Sequence, residues 1–179
     1  MSHAALQAAW WQRLEKLHQR AEGASGLACA ARCTARCCPH AAMATQPPAY
    51  TVSHVMIMLP FEMDYILAKT ALDPARLRKI SVEIAPGLVH EIGFANVATP
   101  CPFLTADFRC GAYRFRPLDC RSFPLTPVFG MDGALDFRLT TTCPSLDTFA
   151  HAYQEQLKTV WRDLLPHLSM AYREVYNQL

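Results

Sequence analysis

The sequence contains no long apolar run. No segment approaches the roughly 20 uninterrupted apolar residues that a membrane-spanning helix needs. A secretory signature is also missing, because Trp10 and Trp11 lead directly into charged residues such as Arg13. These absences predict a cytoplasmic protein that does not bind a membrane.

Charged residues are scarce and nearly balanced. Asp, Glu, Lys and Arg make up 18% of the chain, and the formal net charge is +2. So small an excess provides no general attraction to nucleic acid or to anionic lipid, and we expect neither as a partner. With 51% hydrophobic residues over 179 positions, the chain is expected to fold, and its length suits one domain.

Familiar catalytic motifs are missing too. The sequence has no glycine-rich phosphate loop, no GxSxG turn and no HExxH pair. A cysteine nucleophile paired with a histidine stays open, since any thiol and any histidine can meet in a fold. The density of thiols argues against that interpretation, so the sequence leans away from an enzyme.

Cysteine, in contrast, is abundant, with eight residues in two groups. The early group is Cys29, Cys33, Cys37 and Cys38, and the later group is Cys101, Cys110, Cys120 and Cys143. A reducing compartment keeps thiols from pairing, so a dense pattern there favours metal binding over a disulfide framework. The competing interpretation, a small secreted disulfide fold, suits neither the length nor the apolar content. We therefore predict that all eight cysteines are metal ligands.

Thiolate chemistry narrows the choice of metal. Sites built only from thiolates select zinc, copper(I) or iron–sulfur clusters over magnesium and calcium. If residues 28–38 form a helix, Cys29 and Cys37 are separated by about 12 Å of rise, which is too far for one zinc ion. Either the helix is broken here, or the thiols serve a larger cluster or more than one centre. We favour an iron–sulfur cluster, 4Fe–4S in particular, with zinc, as a pair of structural sites, as the second choice. Nearby arginines would stabilise the thiolates or simply lie exposed; they are Arg32, Arg36, Arg109, Arg114, Arg116 and Arg121.

The later cysteines lie in a dense string of motif residues. CPFL at 101–104 is followed by CGAYRFRPLDCRSFP at 110–124 and then by Cys143. Together with the early run, this pattern resembles a cysteine-cluster family described as zinc- or iron-chelating proteins, whose hallmark is a CxxCxxxCC opening and a later C, Y, RP, CR, FP string. The later string is carried by Cys110, Tyr113, Arg116 with Pro117, Cys120 with Arg121, and Phe123 with Pro124. The chain differs at the first gap, with three residues rather than two between Cys29 and Cys33, and it lacks the glycine usual beside the second cysteine.

The resemblance covers roughly residues 29–143 and implies metal or iron–sulfur binding rather than a particular reaction. Some related domains occur in larger proteins linked to flagellin lysine methylation, so the chain could be a cluster-dependent enzyme or an accessory subunit of a protein-modification reaction. The same cysteines would also suit a structural zinc protein, or a metal-handling module whose N-terminal helix contacts a protein partner. Tyr113, Arg116 and Pro117 would either surround the metal centre or pack the core and cap carbonyls. His40 is a further candidate zinc ligand.

Hydrophobic periodicity predicts the elements around the cysteines. An amphipathic helix is predicted over 4–21, and a stripe from Phe149 to Val175 predicts a long C-terminal helix, capped by Ser145 and kinked or divided at Pro166. Strands are predicted at 52–59, 80–84 and 88–97, helices at 60–70 and 73–79, and a hairpin turn within 128–139. The segment 101–124 is predicted to form short strands and irregular loops. Glu62 is expected only to interact with the dipole at a helix start.

These elements predict an α+β fold. We expect a single compact domain with a loop-rich cysteine and metal core, short strands, an amphipathic N-terminal helix and a long C-terminal helix. Residues 1–26 would form the N-terminal helix and linker, and 27–144 the cysteine-cluster metal-binding domain. Residues 145–179 would form the C-terminal helical segment, packed on the same domain.

Overall fold

The computed structural model describes residues 2–21, 57–96, 103, 105–107, 109–141, 143 and 145–178. Its α-helices are α1 (His3–Arg20), α2 (Glu62–Lys69), α3 (Leu118–Ser122), α4 (His151–Leu164) and α5 (Met170–Gln178). Its strands are β1 (Leu77–Ala85), β2 (Leu88–Asn96), β3 (Leu125–Phe129) and β4 (Leu135–Leu139). The predicted combination of helices and strands is confirmed. Within the described ranges, no helix is both long and apolar enough to cross a membrane.

The N-terminal helix α1 follows the predicted amphipathic pattern. The Ser2 side chain accepts a hydrogen bond from the amide of Ala5 at 3.3 Å and begins the helix. Trp10, Leu14 and Leu17 are buried against α2 and α4. The tryptophan face of α1 therefore covers the chain's own core.

The C-terminal helix is divided at Pro166, as predicted. A 3₁₀ turn, Leu165–His167, separates α4 from α5, and the guanidinium of Arg173 donates to the carbonyls of Leu165 and Leu168. The apolar stripe is buried throughout; it consists of Phe149, Tyr153, Leu157, Val160, Leu164, Leu168, Tyr172 and Val175. The predicted N-cap is wrong, because Ser145 instead precedes a 3₁₀ turn, Leu146–Thr148, and α4 begins only at His151.

Each pair of strands forms an antiparallel hairpin of its own. In the first hairpin, Leu77 pairs with Asn96 and Ala85 with Leu88, around a turn in which Gly87 has φ +75°. In the second, Leu125 pairs with Leu139 and Phe129 with Leu135. The two sheets have two strands each, and α5 packs against both hairpins.

Three predictions of local structure need correction. Ile57 makes an isolated bridge and residues 58–59 are not extended strand, while 52–56 lie outside the described residues. The predicted helix at 73–79 is only a 3₁₀ turn, Pro74–Arg76, since β1 already begins at Leu77. In the segment 101–124, the turn Tyr113–Phe115 and helix α3 occur where short strands and loops were expected. The predicted helix at 28–38 lies outside the described residues.

Candidate metal centre

Three of the predicted ligands lie within the described residues, and each is partly buried. The carbonyl of Cys110 accepts a hydrogen bond from the amide of Tyr113 at 3.2 Å, and Cys120 lies in α3. Cys143 follows β4, and its amide donates to the carbonyl of Thr140 at 3.2 Å. The remaining predicted ligands lie outside the described residues, as does His40; they are Cys29, Cys33, Cys37, Cys38 and Cys101.

The second hairpin connects the segments that carry Cys120 and Cys143. At its open end, the amide of Thr140 donates to the carbonyl of Pro124 at 2.9 Å. Cys120 precedes Pro124 by four residues, and Cys143 follows Thr140 by three. Both cysteines therefore lie on segments that leave the same end of the hairpin.

Arg121 connects the segment that carries Cys110 to α3. Its side chain is 2% exposed, and its Nε donates to the carbonyl of Arg116 at 3.1 Å. Its Nη2 also donates to the carbonyl of Arg114. Arg121 therefore caps two backbone carbonyls, a role that the sequence predicted as an alternative for Arg116. The result is that Cys110, Cys120 and Cys143 lie on segments that are hydrogen-bonded into one unit.

Glu62 stabilises the start of α3, a role that the sequence analysis missed. The side chain is fully buried, and its carboxylate accepts hydrogen bonds from the amides of Leu59 (2.8 Å) and Leu118 (2.9 Å). The Nε2 of His18 lies 3.2 Å from Oε1, and we assign the ring proton to this nitrogen because Nδ1 has no hydrogen-bond partner among the described residues. Since α3 has no side-chain cap of its own, Glu62 satisfies one of its free amides. The sequence predicted only an interaction of Glu62 with the dipole of α2, whereas the carboxylate also binds the first amide of α3.

Asp119 is the second carboxylate beside α3. Its Oδ2 accepts a hydrogen bond from the amide of Ile57 at 3.2 Å, and its Oδ1 accepts one from the hydroxyl of Tyr176. Burial raises the pKa of Asp119 to about 6, and the nearby charge of Glu62 acts in the same direction. The two hydrogen bonds oppose that rise. The amides of Ile57 and Leu59 are thus bound by carboxylates, which explains why this buried segment is not a strand.

Hydrogen bonds also fix the two described ends that flank the early cysteine segment. The hydroxyl of Tyr153 donates to the carbonyl of Ala21 at 2.9 Å. Burial raises the pKa of Tyr153, and the nearby charges of Arg116 and Arg121 oppose that rise, which places both arginines close to this hydroxyl. At the other end, Ile57 is bound to Asp119. The described residues Ala21 and Ile57 therefore both lie beside residues 110–124, which we call the late motif.

The length of chain involved is compatible with a shared site. Cys29 follows Ala21 by eight residues, which span at most about 29 Å when fully extended. Within the part of the chain that the structure describes, no group of three or more His, Cys, Asp and Glu side chains is arranged to hold a metal ion.

Comparisons with known proteins found no match: no family model, no curated protein and no solved structure matches the chain. The resemblance to the cysteine-cluster family therefore stays a prediction, carried by the motif residues themselves.

Proposed function

We propose that this chain is a cytoplasmic metal-binding protein in which clustered cysteine thiolates hold an iron–sulfur cluster, 4Fe–4S in preference to zinc. The observation that supports it most is that both described ends flanking the early cysteines, Ala21 and Ile57, are hydrogen-bonded beside the late motif. Thiolates are the preferred ligands of both cofactors. The proposal includes a compact cysteine core and a relation to the cysteine-cluster family.

Three described residues have the thiol side chains that such a centre uses. Cys110, Cys120 and Cys143 are partly buried thiols on segments that Arg121 and the second hairpin hold together. The remaining ligands would be Cys29, Cys33, Cys37, Cys38 and Cys101. A cluster bound there would supply electron transfer or Lewis acidity, whereas zinc with four thiolates would supply folding energy. Glu62 orients α3, the helix that carries Cys120.

The test is metal and sulfide quantification on protein purified without oxygen. We expect brown protein with broad visible absorbance and equal amounts of iron and acid-labile sulfide. Colourless protein containing zinc would instead select a structural zinc protein. The proposal is contradicted if the protein binds neither iron nor zinc, or if the metal that it binds does not depend on the cysteines.

The double variant Cys110→Ser plus Cys120→Ser is expected to lose most of its bound metal, because a serine hydroxyl is a poor ligand for a soft metal. Metal content per chain, measured by elemental analysis, provides the readout. The matched control is Met131→Ser, which exchanges a sulfur-containing side chain for the same hydroxyl at a position that is 99% exposed. Equal metal content in the double variant and the control would exclude the late motif as a source of ligands.

A further inference from the structure

Arg116 has a buried donor without an acceptor among the described residues. Its guanidinium carbon lies 4.1 Å from the centre of the Tyr113 ring, so the flat face of the cation is covered. Its Nε atom is buried and has no hydrogen-bond partner in the described part of the chain. A buried N–H without an acceptor is costly, so this Nε–H needs an acceptor, and the positive charge of the guanidinium favours an acceptor that carries negative charge.

The position of Arg116 restricts what that partner can be. Its own carbonyl accepts from Arg121, and α3 with Cys120 follows directly after Pro117. Its charge and a side-chain hydrogen bond from it both act on Tyr153, whose hydroxyl binds the carbonyl of Ala21. Arg116 therefore precedes α3 by two residues and lies close to Tyr153, which binds the last described residue before the early cysteines.

The nearby carboxylates are already bound to other groups. Glu62 accepts from His18, Leu59 and Leu118. Asp119 accepts from Ile57 and Tyr176. Asp107 pairs with Arg109 at 3.0 Å on the surface. Among the described residues, none of these carboxylates forms an ion pair with Arg116.

We propose that Arg116 faces the metal–thiolate centre and donates its Nε–H to one of the sulfur atoms. This inference rests on the proposed function, since a zinc ion or iron–sulfur cluster with four thiolates carries net negative charge. Hydrogen bonds to the ligand sulfurs stabilise such a centre and tune its electronic structure. Arg116 would therefore be a positioning and charge-balancing residue rather than a ligand.

The test compares the metal affinity of three variants, each purified without oxygen and titrated with a chromogenic chelator of the metal that the natural chain contains. Arg116→Gln removes the charge, and Arg116→Lys keeps the charge without the Nε–H. Arg109→Gln is the matched control, because it removes the same charge next to Cys110 from a side chain that is 75% exposed. The thiolate-to-metal absorption band is recorded for each protein, since loss of packing alone would not shift it.

We expect Arg116→Gln to lower metal affinity by roughly 10–100-fold and to shift the absorption band, as changes beside metal ligands do. Arg116→Lys should recover part of the affinity while keeping the shifted band, and it provides the answer if Arg116→Gln does not fold. Arg109→Gln should match the natural chain. If the natural chain binds metal and both Arg116 variants match Arg109→Gln, the role of Arg116 is refuted while the proposed function stands. A natural chain without cysteine-dependent metal would refute both.

Discussion

Buried polar side chains fix the short helix that carries Cys120. Glu62 binds the first amide of α3, and Asp119 holds the amide of Ile57. Ser122, which is fully buried, accepts from the indole Nε1 of Trp161 at 2.7 Å and donates to the carbonyl of Leu118. A helix of five residues is too short to be stable alone, so these contacts are what hold it.

Replacement of Glu62 by glutamine is expected to destabilise the protein by about 2–3 kcal/mol. The amide NH₂ of glutamine cannot accept a hydrogen bond, so at least one of the buried donors of Leu59, Leu118 and His18 loses its acceptor. Urea unfolding measures the effect. The control is Asp64→Asn on α2, the helix that contains Glu62. The carboxylate of Asp64 is only part-buried and accepts a hydrogen bond from the Gln7 side chain at 3.2 Å. Equal losses in the two variants would contradict the capping role of Glu62.

The hydrogen bond from Tyr176 to Asp119 predicts a pH-dependent effect. The folded pKa of Asp119, about 6, lies above its ordinary 3.8, so between these values the folded state holds a proton that the unfolded state has lost. Stability from this group is therefore present at low pH and is lost as the pH rises toward 6. Tyr176→Phe removes a donor that favours the ionised carboxylate and should raise this pKa further.

The destabilisation caused by Tyr176→Phe is therefore expected to be larger at pH 8 than at pH 5, as measured by urea unfolding at both values. Tyr172→Phe is the control, because the buried hydroxyl of Tyr172 has no hydrogen-bond partner among the described residues. Its removal should cost little and should not depend on pH. A pH-independent loss in Tyr176→Phe would show that the hydroxyl does not affect Asp119.

Turn residues and side-chain caps define where the elements end. Gly133 has φ +82° in the turn between β3 and β4, and the amide of that glycine donates to the carbonyl of Gly130 at 3.0 Å. Asn177 of α5 accepts from the amide of Phe129 at 2.9 Å and donates to the carbonyl of the same residue. The side chain of Asn177 thus binds the outer edge of β3, which keeps that edge from pairing with another chain.

Gly133→Ala is expected to destabilise the protein by about 1–2 kcal/mol, because an alanine in the left-handed region brings its Cβ close to the following carbonyl. No atom lies within 4 Å of the added Cβ, so backbone strain is the only cost. Urea unfolding provides the measurement. Gly133→Asn should cost less, since asparagine tolerates this conformation. An alanine variant as stable as the natural chain would mean that the turn relaxes to another conformation.

The two described ends that flank the early cysteine segment are both attached to the rest of the described fold. The side chains of Arg20 and Asp163 pair at 2.5 Å, and Tyr153 binds Ala21, so the end of α1 is attached to α4. At the other end of that segment, the amide of Ile57 donates to the carboxylate of Asp119 in α3. In the proposed protein, ligands from residues 22–56 join the late thiols at this point, so the metal would stabilise the fold. The double cysteine variant should therefore also be cut faster by trypsin than the Met131→Ser control.

Local pattern determined much of this molecule. The stripes of α1, α4 and α5, the division at Pro166 and both hairpins follow from hydrophobic periodicity and turn residues, since these act within a few positions of the chain. The grouping of the cysteines and their chemistry can also be read from the sequence, as a prediction of metal binding.

Tertiary structure alone decided how the late motif is held. Glu62 and Leu118 are 56 residues apart, and Ile57 and Asp119 are 62 apart, so no local signal marks either contact. The same contacts explain the missing strand at 57–59 and the unexpected helix α3, because a buried amide takes whichever acceptor the fold places beside it. The residue types set which chemistry the chain can perform, and the packing of distant segments set which of these groups meet.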